Sequence, residues 1–120
     1  MNKMEQEPFE KITQTQLMEY AQISGDLNPI HIDEGVAKEL GYQTNFAHGM
    51  LILGLITRWV QDRYKSYQLS SINTRFISPI YKEESLYYSE SIKESEVLDV
   101  EIISEKNIRK LIATVNLSKR

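Results

Sequence analysis

"GMLILGLITRWV" (residues 49–60) decides the fold. Its apolar residues occupy nearly every side of a helical wheel over the first two turns, which predicts a buried helix over residues 49–64. Thr57 and Arg58 break the run before it reaches the length of a membrane span. Downstream the apolar period changes to two. Ile72, Thr74 and Phe76 alternate up to Pro79, and Leu98, Val100 and Ile102 alternate with Asp99 and Glu101. Leu111, Ala113, Val115 and Leu117 do the same after a "SEKN" turn, and "SLYYSESI" (residues 85–92) reads as a further strand. Strands with one wet face belong to an antiparallel sheet. A short first strand is expected near "PFEKI" (residues 8–12). The fold class is therefore α+β, an antiparallel sheet wrapped around one buried helix.

Upstream of residue 49 the pattern is helical. Thr13 with Gln16 three positions later is a capping box, Leu17, Tyr20 and Ala21 follow at helical spacing, and Gly25 terminates the segment. The loop "SGDLNP" comes next. Asp33 then caps a short helix whose Val36, Ala37 and Leu40 face one way, with Gly41 after it.

Composition narrows the function classes. The 120 residues suit a single domain spanning 1–120, with 41% hydrophobic and 26% charged residues. A net charge of -3 argues against nucleic acid or an anionic membrane as partner. The absence of cysteine removes disulfides, thiolate catalysis and zinc–thiolate sites. "MNKMEQEPFEK" has no apolar core of a signal peptide, so a cytoplasmic location is expected. Arg58, Arg63 and Lys65 read as a solvated helix end.

The chemistry concentrates in "AQISGDLNPIHID" (residues 21–33), which holds one of the two histidines. Asp26 and Asn28 taken singly are turn residues, and Pro29 stiffens the segment. Asp26 and His31 together on one braced loop could both reach one water, one taking its proton and the other orienting it. In "NFAHGMLILGL" His48 and Gly49 stand at the start of the buried helix, where free backbone amides point outward. Gly49 either offers an amide to a substrate carbonyl or permits tight packing there. His48 reads as a residue that orients the loop. His31, Asp33 and His48 resemble the donor set of a non-haem iron site. Asp33 already has a sufficient task as a helix cap, so no metal is expected.

These blocks resemble the MaoC-like dehydratases, the (R)-specific enoyl-CoA hydratases of the hot-dog fold. The matching residues are Tyr20, Asp26, Asn28, Pro29, Ile30, His31 and Ala37, then His48, Gly49 and Met50, then Phe76 and Pro79 in "TRFISPIY". The resemblance runs from about Phe9 to the end. It implies a sheet curled around a long central helix, a homodimer paired edge to edge, and reversible syn addition of water to a trans-2-enoyl thioester giving the (R)-3-hydroxyacyl product. By position, it makes Asp26 and His31 catalytic and gives the Gly49 amide the thioester oxygen. Asn28, His48 and Thr57 become supporting residues, Thr57 standing where the family often has a serine behind the aspartate. No cofactor is implied beyond coenzyme A or acyl carrier protein as the acyl carrier of the substrate. The chain departs from the family at "YKEESL", where Gly-Asp is usual, and its C-terminal half is short. Thioester hydrolysis and non-catalytic acyl-thioester binding are the two alternative readings.

Overall fold

A computed structural model describes residues 5–120. The elements are β1 (Glu5–Phe9), α1 (Gln14–Ser24), α2 (Pro29–Ile32), α3 (Glu34–Glu39), α4 (Gly49–Arg63), β2 (Tyr67–Phe76), β3 (Leu86–Glu94), β4 (Val97–Ser104) and β5 (Arg109–Lys119). All five strands form one antiparallel sheet in the order β1-β3-β4-β5-β2. One face carries the core: Leu98, Val100 and Ile102 of β4 and Leu111, Ala113, Val115 and Leu117 of β5 are buried, as their alternation requires. Ile52, Ile56 and Val60 of α4, four residues apart, share that core.

The helix differs from the sequence expectation in how it is covered. Burial is confined to the Ile52–Ile56–Val60 stripe, while Met50 is 66% exposed and Leu51, Leu53 and Leu55 are half-buried. A sheet covers only one side of a helix, so within one chain the remaining apolar side stays open. The C-terminal end of α4 is not a simply solvated cluster either. Arg63 pairs with Glu90 at 3.1 Å and Glu7 at 2.7 Å, and the hydroxyls of Tyr64 and Tyr88 both donate to Glu90. Burial and the Glu90 carboxylate push the Tyr64 hydroxyl up to about 12. This cluster ties α4 to β1 and β3.

The capping box at Thr13 and Gln16 and the left-handed Gly25 (φ 80) bound α1 as expected. Three local expectations shift. The first strand lies at Glu5–Phe9, earlier than "PFEKI": Phe9 pairs with Leu86, then the chain leaves the sheet to bury Ile12. Leu40 is 63% exposed, because α3 ends there and only Ala37 reaches the core. The loop after Gly25 contains an extra helix, α2.

A second tie shapes the segment after β2. Lys110 is buried, its ammonium 2.9 Å from Glu84 and donating to the Pro79 carbonyl, also at 2.9 Å. In the departing "YKEESL" stretch Glu83 sits at φ 61, a left-handed conformation that costs an L-residue about 1–2 kcal/mol relative to glycine.

The packing assigns clear energies. Ile56→Ala should lower the unfolding free energy by about 2–5 kcal/mol, whereas Arg58→Ala, on an exposed side of α4, should change it by no more than about 0.5 kcal/mol. Urea denaturation of the two variants measures both.

Candidate active site

The turn after α1 builds its own scaffold. Ser24 Oγ accepts from the Asp26 N–H, Asp26 Oδ1 from the Asn28 N–H, and Asn28 Oδ1 from the Ile30 N–H, at 3.1, 3.2 and 3.2 Å. Each bond closes a two-residue step, the ordinary use of Ser, Asp and Asn in turns, and the last one caps α2. Asp26 Oδ2 is left to face His31 Nε2, 4.0 Å away.

His31 Nδ1 lies 2.9 Å from the Phe46 carbonyl. A carbonyl only accepts, so Nδ1 carries the hydrogen, and in the neutral ring Nε2 presents a lone pair toward Asp26. Burial lowers the His31 pKa from 6.5, reinforced by His48 and opposed by the Phe46 carbonyl and by Asp26, so the ring is neutral at pH 7. The 4.0 Å gap is too long for a direct hydrogen bond. An oxygen about 2.8 Å from each atom spans it, so the pair is spaced to hold one water between an acceptor carboxylate and an acceptor imidazole.

His48 is 2% exposed. Its Nε2–H donates to the Asp26 main-chain carbonyl at 3.1 Å, and its ring stacks on that of His31 with centroids 4.0 Å apart. Tyr20 packs against it at a steep angle, with ring centroids 4.9 Å apart. His48 thus joins the backbone of Asp26 to the ring of His31.

Gly49 opens α4. The Leu51 and Ile52 amides donate to His48, so those of Gly49 and Met50 precede the first intrahelical bond at the positive end of the helix dipole. A Cβ on Gly49 would stand 3.2 Å from Cζ of Phe76. Two clefts meet along this Gly49–Phe76 contact. One, about 510 Å³, is lined by Tyr20, Ser24, Asp26, His48, Met50 and the contact pair. The other, about 300 Å³, runs past His31 along Phe46, Ile52 and residues 77–80. Asp26 therefore lines one cleft and His31 the other, and Gly49 and Phe76 line both.

Not every sequence-derived candidate joins the cluster. Thr57 donates to the Gly54 carbonyl of its own helix at 2.8 Å, two turns from Gly49. Among the described residues it makes no hydrogen bond to Asp26. Asp33 caps α3 through the Val36 N–H. Donor atoms of Asp26, His31 and His48 do lie within 4.8 Å of one another. Of the His48 nitrogens, Nε2 serves the Asp26 carbonyl and Nδ1 is buried without a partner among the described residues. Sequence reasoning missed Phe46, which fixes the His31 tautomer through its main chain, where residue identity carries no signal. It also missed Gln14 and Asn45, whose amides end on the α2 carbonyls.

The family described as MaoC like domain matches residues 1–115. The chain is 32% identical over 77 residues to a probable enoyl-CoA hydratase 2 of Dictyostelium discoideum, across 62% of this chain and 26% of that protein. It thus spans about a quarter of that curated relative. The structure is similar to the (R)-hydratase from A. caviae involved in PHA biosynthesis, with a TM-score of 0.82 at 15% identity, covering 100% of this chain and 98% of that one. It is also similar to a chain of the ChsH1–ChsH2 complex from Mycobacterium tuberculosis, with a TM-score of 0.81 at 22% identity and coverage of 97% and 94%. These likenesses establish the hot-dog fold.

The His31 geometry sets a pH expectation. An NMR titration of the His31 ring should show the Nδ1–H tautomer and a midpoint below 6.5. Because the folded pKa is depressed, this group's contribution is complete above 6.5 and is lost as pH falls below it. A midpoint at or above 6.5 would contradict the burial described.

Proposed function

The chain belongs to the MaoC-like domain family, and from that premise we propose that it is a hydratase–dehydratase of acyl thioesters. It adds water reversibly and syn across a trans-2-enoyl thioester to give the (R)-3-hydroxyacyl product. The single observation that carries this reading is the 4.0 Å span between Asp26 Oδ2 and His31 Nε2, both acceptors, which fits one water.

In the hydration direction Asp26 takes a proton from that water as its oxygen attacks the β-carbon, and His31 Nε2 holds the other hydrogen. The double-bond electrons move through the α-carbon to the thioester oxygen, where the Gly49 amide at the start of α4 stabilises the enolate-like charge. The proton then returns to the α-carbon from the Asp26–His31 side. Water and proton come from one place, so the addition is syn. Asn28 supports this by donating its N–H to the Asp26 carboxylate, and His48 by holding the Asp26 main-chain carbonyl. No metal or prosthetic group takes part, and coenzyme A or acyl carrier protein carries the acyl group.

The same reading makes residues 1–120 one hot-dog unit acting as a homodimer in the cytoplasm, without nucleic acid or membrane partners. Two features support a dimer: among the described residues β2 is a ten-residue edge strand paired only with β5, and Met50, Phe76 and Ile77 leave apolar surface beside the clefts. No helix among the described residues is long and apolar enough to cross a membrane.

Loss of the enoyl-thioester absorbance of crotonyl-CoA, with no free thiol released, is the expected behaviour. Asp26→Asn should retain the fold and lower kcat by about 10²–10⁴-fold. Undiminished turnover in that variant would remove Asp26 from the mechanism, and thiol release would make the protein a thioesterase.

A further inference from the structure

The helix that carries His31 is too short to satisfy itself. Four residues leave every carbonyl of α2 in need of a partner from beyond the helix. Each has one. The Pro29 carbonyl accepts from the Asp33 N–H at 2.8 Å and that of Ile30 from the Phe46 N–H at 3.3 Å. The last two are taken by side-chain amides: His31 O accepts from Asn45 Nδ2 and Ile32 O from Gln14 Nε2, both at 2.9 Å.

We propose that Gln14 and Asn45 are positioning residues for His31, a half-buried and a buried amide that together cap the end of α2 and thereby set where the imidazole points. Asn45 is fully buried. Both its Nδ2 hydrogens are committed, one to His31 O and one to Gln14 Oε1 at 2.8 Å, and its Oδ1 accepts from Thr44. The amide orientations are dictated by the partners, because main-chain carbonyls can only accept. A buried amide with every group engaged leaves little freedom to shift. The residue next to Asn45 is Phe46, whose carbonyl takes the ring Nδ1–H of His31. Residues 45 and 46 therefore grip His31 twice, once by its main chain and once by its ring. Gln14, at the first position of α1, anchors the same grip to the capped start of that helix.

Neither amide lines the clefts at Phe76. Within the site their contacts lead to α2 and His31, so their effect falls on turnover rather than on substrate binding. The kinetic part of this inference rests on the hydratase reading above; the placement of the ring does not.

The test compares the wild-type chain with Gln14→Met, which keeps side-chain length and removes the amide, and with Asn45→Ala. ¹⁵N NMR of the imidazoles reports the tautomer and titration of His31, and crotonyl-CoA hydration gives kcat and KM. In folded Gln14→Met the His31 nitrogens should lose their pure Nδ1–H signature. kcat should fall about tenfold with KM within about twofold, and in a His31→Ala background Gln14→Met should change kcat by less than about twofold. Unchanged ring resonances in folded Gln14→Met would overturn the proposal, as would an equal kcat loss without His31. If Asn45→Ala does not fold, Gln14→Met alone decides. If the wild type hydrates nothing, the hydratase reading fails, and the NMR shifts still decide the placement of His31.

Discussion

The bond from His31 Nδ1 to the Phe46 carbonyl is the constraint on which the rest of the site depends. It decides which ring nitrogen carries a hydrogen, and so turns Nε2 into an acceptor facing a second acceptor, Asp26. Two acceptors 4.0 Å apart have no direct bond to make. They have a hydrogen-rich guest to share, and water is the smallest one. Had the tautomer been reversed, Nε2–H would donate toward the carboxylate and the pair would favour closing on itself.

That bond survives because the segment around Phe46 is held from several sides. Its neighbour Ala47 donates to Ile80, and Asn45 accepts from Lys82, so the segment is laced to the stretch after β2. That stretch is held in turn by the buried Lys110 between Glu84 and Pro79. A buried pair of this kind adds little net stability over an apolar packing, yet losing one partner strands a charge and costs about 3–5 kcal/mol. Its contribution is better read as placement: it fixes residues 77–80 where they form one wall of the smaller cleft.

Much of this was legible in the sequence, for physical reasons that differ by element. The boundaries of α1 follow from local chemistry, a Thr13–Gln16 capping box and a glycine free to adopt φ 80, and local chemistry is written in adjacent letters. The strands β4 and β5 follow from their two-residue period. The helix α2 did not show because four residues span little more than one turn and display no period. The burial of α4 was overstated because apolar residues on every side say that cover is wanted, not that one chain supplies it. Within the site, Asp26, His31, His48 and Gly49 stood out by residue type and spacing, whereas Gln14 and Asn45 did not. Their bonds to α2 cross 18 and 14 residues, and a glutamine near a helix start or an asparagine before an apolar run has a ready local explanation.

The central claim is that one water sits between Asp26 and His31 and reacts from a single face. Hydration of crotonyl-CoA in D₂O, followed by NMR of the isolated 3-hydroxybutyryl product, tests it directly. The account predicts the (R) configuration at the β-carbon with deuterium added to the α-carbon from the same face as the hydroxyl. Anti addition, an (S) product, or deuterium scrambled over both faces would contradict a single water held by this pair.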